Sequence, residues 1–453
     1  MSDVTQSEFT ITLDQGTPMK TFMSRCLQAV PMTLLLIAVS STVNAQEDGV
    51  EKPAVVAISG GYYHSLFLMK DGSLWGAGTN ISGALGDGEW SPTPRVIMTD
   101  VSAASAGAVH SLFLKKDGSV WAVGWVGSGA LGDGFSADLE KKPANLYDQT
   151  KGEGILRMTP VQVMEEVAAI AAGRDRSLFL KEDGAVWATG RNDQGQLGDG
   201  TTTNRTKPVQ VMTDIAAISA GDSHSLFLKK DGTVWATGRN DEGQLGDGTT
   251  TERTTPVRVM TDVAAISAGK NHSLFLKKDG TAWATGQNDD GRLGNGTKTN
   301  QLRPVSVAEN VSAISAGDVH SLFLRKDGSV WGTGSNRFRH LGDALLEVQP
   351  RDRHVISPYR IMDGVSSAFA GRNHDSWFVM RDGSVLALGN NEQYKLGFMG
   401  DVSAGKPIKI SFLRRPPAEI KERQETGDKP LRRFNPEVDM PILTKPPRNA
   451  VTK

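Results

Sequence analysis

The chain repeats itself. A turn of the form G-x-x-H and the words that follow it recur with the leading glycine at Gly61, Gly107, Gly173, Gly221, Gly269, Gly317 and Gly371. The intervals are 46, 66, 48, 48, 48 and 54 residues, so a 48-residue unit repeats and two copies carry insertions. Each unit holds four short β-patterned runs, exemplified by PVQV at 208–211, IAAIS at 215–219, SLFLK at 225–229 and TVWATG at 233–238. All have strand length and are bounded by turn residues. An Asp-Gly pair joins the SLFLK-type run to the TVWATG-type run at Asp71, Asp117, Asp183, Asp231, Asp279, Asp327 and Asp382. Both residues tolerate positive φ, which predicts a type I′ hairpin. Four antiparallel strands in each of seven units give an all-β fold, the seven-bladed β-propeller.

A blade needs neighbours on both faces, so the ring has to close. The first unit begins at PAVVAIS with no PVxV run before it, and the last such run is PIKISF, Pro407 to Phe412. Pairing of that C-terminal strand beside residues 54–59 of the first repeat is the expected closure, since it removes two exposed edges.

Outside the repeat the chain changes character. Met19 to Ala45 reads as a short basic start, an apolar run and a small-residue ending, the pattern of a secretory signal peptide, within a leader of residues 1–45. The uninterrupted apolar core, Leu34 to Val39, is too short to span a bilayer, so membrane anchoring by an uncleaved leader is the weaker reading. The expected location is secreted or periplasmic after cleavage near Ala45. Cys26 is the only cysteine and lies in that leader, which leaves the mature chain without disulfides or thiolate chemistry. The propeller is expected over 46–413. Residues 414–453 form a Pro-rich tail with ten Lys or Arg against six Asp or Glu, read as disordered and solvated. A net charge of −1 and 6% aromatic content give no sign of a nucleic-acid binder.

The succession A-G-x-x-H-S-L-F-L, K-D-G-x-V-W-x-x-G and N-x-x-G-Q-L-G-D-G-T resembles the regulator of chromosome condensation family over residues 53–413. The resemblance implies a seven-bladed propeller. It also implies two kinds of role, exchange of nucleotide on a small GTPase as in the eukaryotic founding member, or inhibition of an enzyme as in a secreted bacterial relative. The leader favours the secreted kind.

Most of the recurring polar and aromatic residues read as structure. His64, His110, His224, His272, His320 and His374 follow the turn glycine, with Arg176 in the third copy. Sevenfold spacing keeps such side chains apart, so each is expected to brace its own turn and no metal is assigned. Asp193, Asp199, Asp241 and Asp247 lack the alternating order and closing glutamate of a calcium loop, and are expected to form turns. Trp75, Trp121, Trp187, Trp235, Trp283 and Trp331 hold one strand position and read as interblade packing. No catalytic set stands apart from the repeat, and no cofactor is implied.

Function is sought where copies depart from their own consensus. Units three to five are near copies, whereas the strand exits of units six, seven, one and two read SNRFRHLGDA, NNEQYKLGFM, TNISGALGDG and WVGSGALGDG. In a closed ring these four units are contiguous. The two insertions, about 135–157 and 344–357, fall in the same arc. Ile81, Trp125, Val126, Tyr147, Phe338, Arg339, His340 and Tyr394, joined by Tyr62 and Tyr63 from the first turn, are the candidate partner-binding residues. The expected function is a monomeric, non-catalytic scaffold that binds a protein. Two rivals stand beside it, a regulator of a small GTPase and an enzyme acting on an extracellular polymer in the central channel.

Overall fold

The computed structural model describes residues 54–135, 156–343, 353–400 and 403–412; Cys26, Tyr147, the leader and the tail from 414 lie outside them. Seven four-stranded antiparallel sheets follow one another along the chain, each made of four consecutive strands. In blade one these are the inner strand Val55–Gly60, the second His64–Met69, the third Leu74–Gly78 and the outer Ser91–Met98. The seven-bladed propeller expected from the repeat is therefore the observed architecture. Among the described residues no helix is long and apolar enough to cross a membrane.

The second strand explains why blades need neighbours. Its HSLFL run is buried from end to end, because a blade covers each of its faces. Alternate side chains point to opposite faces, so Leu178 and Leu180 of blade three meet Phe227 of blade four, and Leu226 and Leu228 of blade four meet Phe275 of blade five. The same interlock of two leucines with the next blade's phenylalanine fills the other seams through blade six. At the last seam Trp377 and Val379 replace the leucines and meet Phe67.

Polar links run parallel to this packing. His64, His110, His224, His272 and His320 do not brace their own turns; each ring Nε2 lies 2.8–3.0 Å from the serine hydroxyl of the following blade. The partners Ser177, Ser273 and Ser321 donate their own protons to loop carbonyls of Ala130, Gln244 and Arg292, so His110, His224 and His272 must donate from Nε2. Each imidazole packs against its turn glycine: a Cβ on Gly61 would sit 2.5 Å from the His64 ring, which is why glycine leads the motif. Arg176 does the same work in blade three, reaching Ser225 and the carbonyls of Asp222 and His224. Closer to the axis, Ser59, Ser105, Ser219, Ser267 and Ser315 accept the inner-strand N–H of the next blade at 2.9–3.0 Å.

Two expectations are corrected. The Asp-Gly hairpins are not type I′, because only the glycine has positive φ, +88° at Gly72, while Asp71 does not. The Gly72 N–H bonds to the Met69 carbonyl, giving a type I turn with a left-handed glycine. Asp71 then caps the N–H and hydroxyl of Ser73, and that hydroxyl accepts the Trp75 indole N–H. The same relay fixes Trp121, Trp235, Trp283 and Trp331. Trp75 is wholly buried, and the tryptophans at the same strand position in blades two to six are half-buried, four of them under Lys115, Lys229, Lys277 and Arg325.

The second correction concerns closure. The C-terminal strand Ala404–Lys409 pairs with Val385–Gly389 as the outer strand of its own blade, and not with the first repeat. The blade unit begins with the inner strand, so no strand is left over to exchange. Closure is by side chains: Phe412 packs edge-on against Phe67 and Trp75 of blade one, at 5.4 and 5.9 Å between centroids.

Phe227→Ala empties the seam between blades three and four and is expected to cost about 3–5 kcal/mol, read from the urea midpoint at unchanged slope. The buried histidines set the acid response. Burial holds His64, His110 and His224 down to about 3, and His272 and His320 well below the usual value. Their folded values lie below the unfolded one, so stability is full above about pH 6.5 and is lost as pH falls below it. Asp375, pushed up to about 7 by burial, opposes this, as do Asp175 and Asp318, which burial also pushes up. His272→Gln keeps a donor for Ser321 and is expected to flatten the stability slope below about pH 6 by about 1.4 kcal/mol per pH unit. An unchanged slope would show that His272 is protonated in the fold.

Candidate functional site

The G-x-x-H turns and the loops between third and outer strands emerge at one end of the ring. At that end four residues that directly follow a turn glycine, Tyr62, Asp222, Asp318 and Arg372, close the channel. The Tyr62 hydroxyl donates to Asp222 across the ring at 3.1 Å. The Arg372 guanidinium reaches Asp222 and the carbonyls of Ala172 and Ala220. Asp318 accepts the Asn373 N–H at 3.3 Å. Burial, reinforced by Asp318 and Asp222, pushes the Tyr62 phenol far up, so it is a neutral donor. Burial pulls Arg372 down, yet Asp222 and Asp318 outweigh it and the guanidinium stays charged. Tyr62 is thus part of a plug, with Tyr63 edge-on beside it at 6.4 Å.

Blade seven breaks the histidine pattern. Its turn is one residue longer, and Asp375, not His374, pairs with the third-strand glycine as His64 does in blade one. Asn373 and His374 take up the extra residue at φ 63° and 67°. His374 is therefore not a sixth histidine linking one blade to the next. Asp375 is instead met by the ammonium of Lys395, both wholly buried, and Lys395 also donates to the carbonyls of Arg372 and Asn373 at 2.9 and 2.8 Å. Burial pushes Asp375 up and Lys395 down. Among the described residues Ser65, across the seam, has no hydrogen-bond partner.

Displaced outward, His374 is half-buried and stacks on Phe338 at 4.5 Å, with His340 5.7 Å away. Arg339 is half exposed, 3.6 Å from Asp343, and Arg337 and Arg353 are exposed beside it. At the seam of blades seven and one, Tyr394 packs on Trp90 at 5.9 Å. Ile81 is half-buried in the loop of blade one. Three candidates are not surface groups: His340 and Val126 are wholly buried, and Trp125 is 7% exposed against Leu156, Val109 and Met158. They hold their loops and offer a partner no area.

Two residues were missed. Trp90 is 48% and Met399 69% exposed. Trp90 stands four residues before the outer-strand proline, where blades three to five have Asn204, Glu252 and Asn300, so the comparison of copies that singled out Phe338 would have found it if carried through the whole loop.

Many polar groups of the repeat are already engaged in structural bonds. The close His–Ser pairs are wholly buried, and in His110–Ser177, His224–Ser273 and His272–Ser321 the serine proton is already given to a carbonyl. Asp199 and Asp247 are saturated by Asn192 and Asn240, by Thr201 and Thr249, and by Arg205 and Arg253. Among the described residues no group of three or more His, Cys, Asp or Glu is placed to hold a metal ion. Arg372→Ala leaves Asp222 buried without its cation, and is expected to cost about 3–5 kcal/mol in chemical denaturation.

Comparison with known proteins places this geometry. The RCC1-like domain family matches residues 31–307 and 149–426. Among solved structures, Prp20p from Saccharomyces cerevisiae is 24% identical with a TM-score of 0.65, covering 82% of this chain and 90% of its own. Yeast RCC1 (Prp20) bound to Kap60 gives 23%, 0.65, 82% and 91%. Human WBSCR16 gives 20%, 0.63, 75% and 93%. The search of curated proteins found no significant match. With family matches spanning most of its length and the repeat carried by all seven blades, the chain belongs to the RCC1-like domain family.

Proposed function

We propose that this propeller is a non-catalytic scaffold, secreted or periplasmic, that holds a protein partner on the loop face of blades six, seven, one and two. The observation that carries the reading is the exposure of Trp90, Met399 and Arg339 on loops of one face, beside Tyr394 and the Phe338–His374 stack. Aromatic and arginine side chains on loops fixed by a stiff ring make affinity at small entropic cost. Blades three and four present Arg191–Asp193 and Arg239–Asp241 pairs at the equivalent exits, charges satisfied within their own loops. The fold carries protein partners elsewhere: yeast Prp20 is described with Kap60 bound, and for its binding to Gsp1p and histones. The secretory pattern of Met19 to Ala45 supports the location.

The test is capture from the envelope and secreted fractions with the mature chain, followed by titration of the captured protein against a variant carrying Trp90→Ala, Arg339→Ala and Tyr394→Ala. Loss of affinity of about thirtyfold or more is expected, corresponding to at least one hot spot of about 2 kcal/mol. Equal affinity would remove the arc from the binding surface. A captured small GTPase that sheds its nucleotide on contact would replace the scaffold reading with the exchange-factor one.

A further inference from the structure

On the propeller axis, just inside the plug, lies a cavity of about 200 Å³. Ser59, Ser105, Ser267 and Ser315 line it. Each hydroxyl oxygen is held by a backbone N–H from the next blade, which fixes its place and uses one lone pair. None of the four donates its proton to another group among the described residues, so four O–H donors of fixed origin face one small space. Asp318 and Arg372 stand at the plug end of the lining. Phe369 is the remaining distinctive wall. It occupies the inner-strand position that five blades fill with serine and blade three with Ala171, and the serine staple to blade one is given up there.

We propose that this cavity binds a small neutral polyol, of monosaccharide size or less. The argument is one of complementary chemistry. Serine protons require acceptor oxygens, the Asp318 carboxyl requires a donor, and a hydroxyl group is both at once. Phe369 offers a flat apolar wall to the C–H face of such a ligand. An oxyanion would have to sit against Asp318, with Asp222 behind it, and a cation against the Arg372 guanidinium and the serine protons. Volume limits the guest to something small, which excludes a polymer strand threaded through the ring. The site lies inside the ring and does not depend on what the outer loops bind.

The test uses the mature chain titrated by calorimetry with glucose, with glycerol and with inorganic phosphate. Saturable binding of glucose or glycerol with a Kd of about 1 mM or tighter is expected, and none with phosphate. Phe369→Ser, which restores the serine of the other blades, and Asp318→Asn should each weaken polyol binding at least tenfold, with a cooperative urea transition showing that each variant is folded. Absence of saturable polyol binding, a preference for phosphate, or equal polyol affinity in the parent and the variants overturns the proposal. Should Phe369→Ser fail to fold, the Asp318→Asn comparison decides.

Discussion

The structure depends on one contact repeated around a ring, in which two leucines of one second strand close on the phenylalanine of the next. A β-strand with apolar side chains on both faces cannot be stable at the surface of a single sheet. Burying both faces demands a sheet on either side, and for a chain of such units the only arrangement without an unsatisfied end is a circle. The polar links obey the same logic. A histidine that donates to the following blade's serine has no partner within its own blade, so no blade is complete in isolation.

Closure is where a repeated contact becomes a problem, because the last unit must meet the first with the same geometry and a different history. Here the seam of blades seven and one is built from other materials. Trp377, Val379 and Phe412 stand where leucines would meet Phe67, and the larger aromatic surface compensates for the absence of strand exchange. The histidine circuit stops at Asp375, and a wholly buried Lys395–Asp375 pair takes its place. Such a pair is costly to bury and more costly to halve. It ties the loop of blade seven to its own turn, where histidines elsewhere tie one blade to another.

The blade count and the succession of strands along the chain were legible because they rest on periodicity and on turn residues at fixed offsets, whereas the sheet to which each PVxV strand belongs was not. What was not legible rests on three-dimensional choice. Asp-Gly suits a type I′ turn and equally a type I turn followed by a left-handed glycine; the capping of Ser73 by Asp71 favours the second, and that bond is invisible in a dipeptide rule. The string G-x-x-H reads the same in blade seven, yet one added residue moves His374 out and puts Asp375 in the strand. Loops carry no period, so nothing in SNRFRHLGDA says that Arg339 points out and His340 in. A propeller strand exchanged at closure was expected because edges are a liability, but the repeat's own phase, starting at the inner strand, left no strand to exchange.

Departures from a repeat differ in kind, and energetics separates them. A surface change such as Asn300 against Trp90 alters little in the ring's own stability, so drift and recognition look alike there. A departure that forgoes an internal bond is different. Phe369 gives up the serine link to the next inner strand, in the same blade that gives up the histidine link for Asp375. Asp375 is balanced by Lys395 on the neighbouring loop, and Arg372, beginning that turn, crosses the channel to the blade-three and blade-four carbonyls of Ala172 and Ala220. Blade three is also the blade where Ala171 leaves the inner link to blade four unmade, so the arginine reaches the place where the ring's own bonding is thinnest. Lost links on one side and a cross-channel tie on the other form a single compensated arrangement, and it is centred on the axis, away from the loops that vary freely.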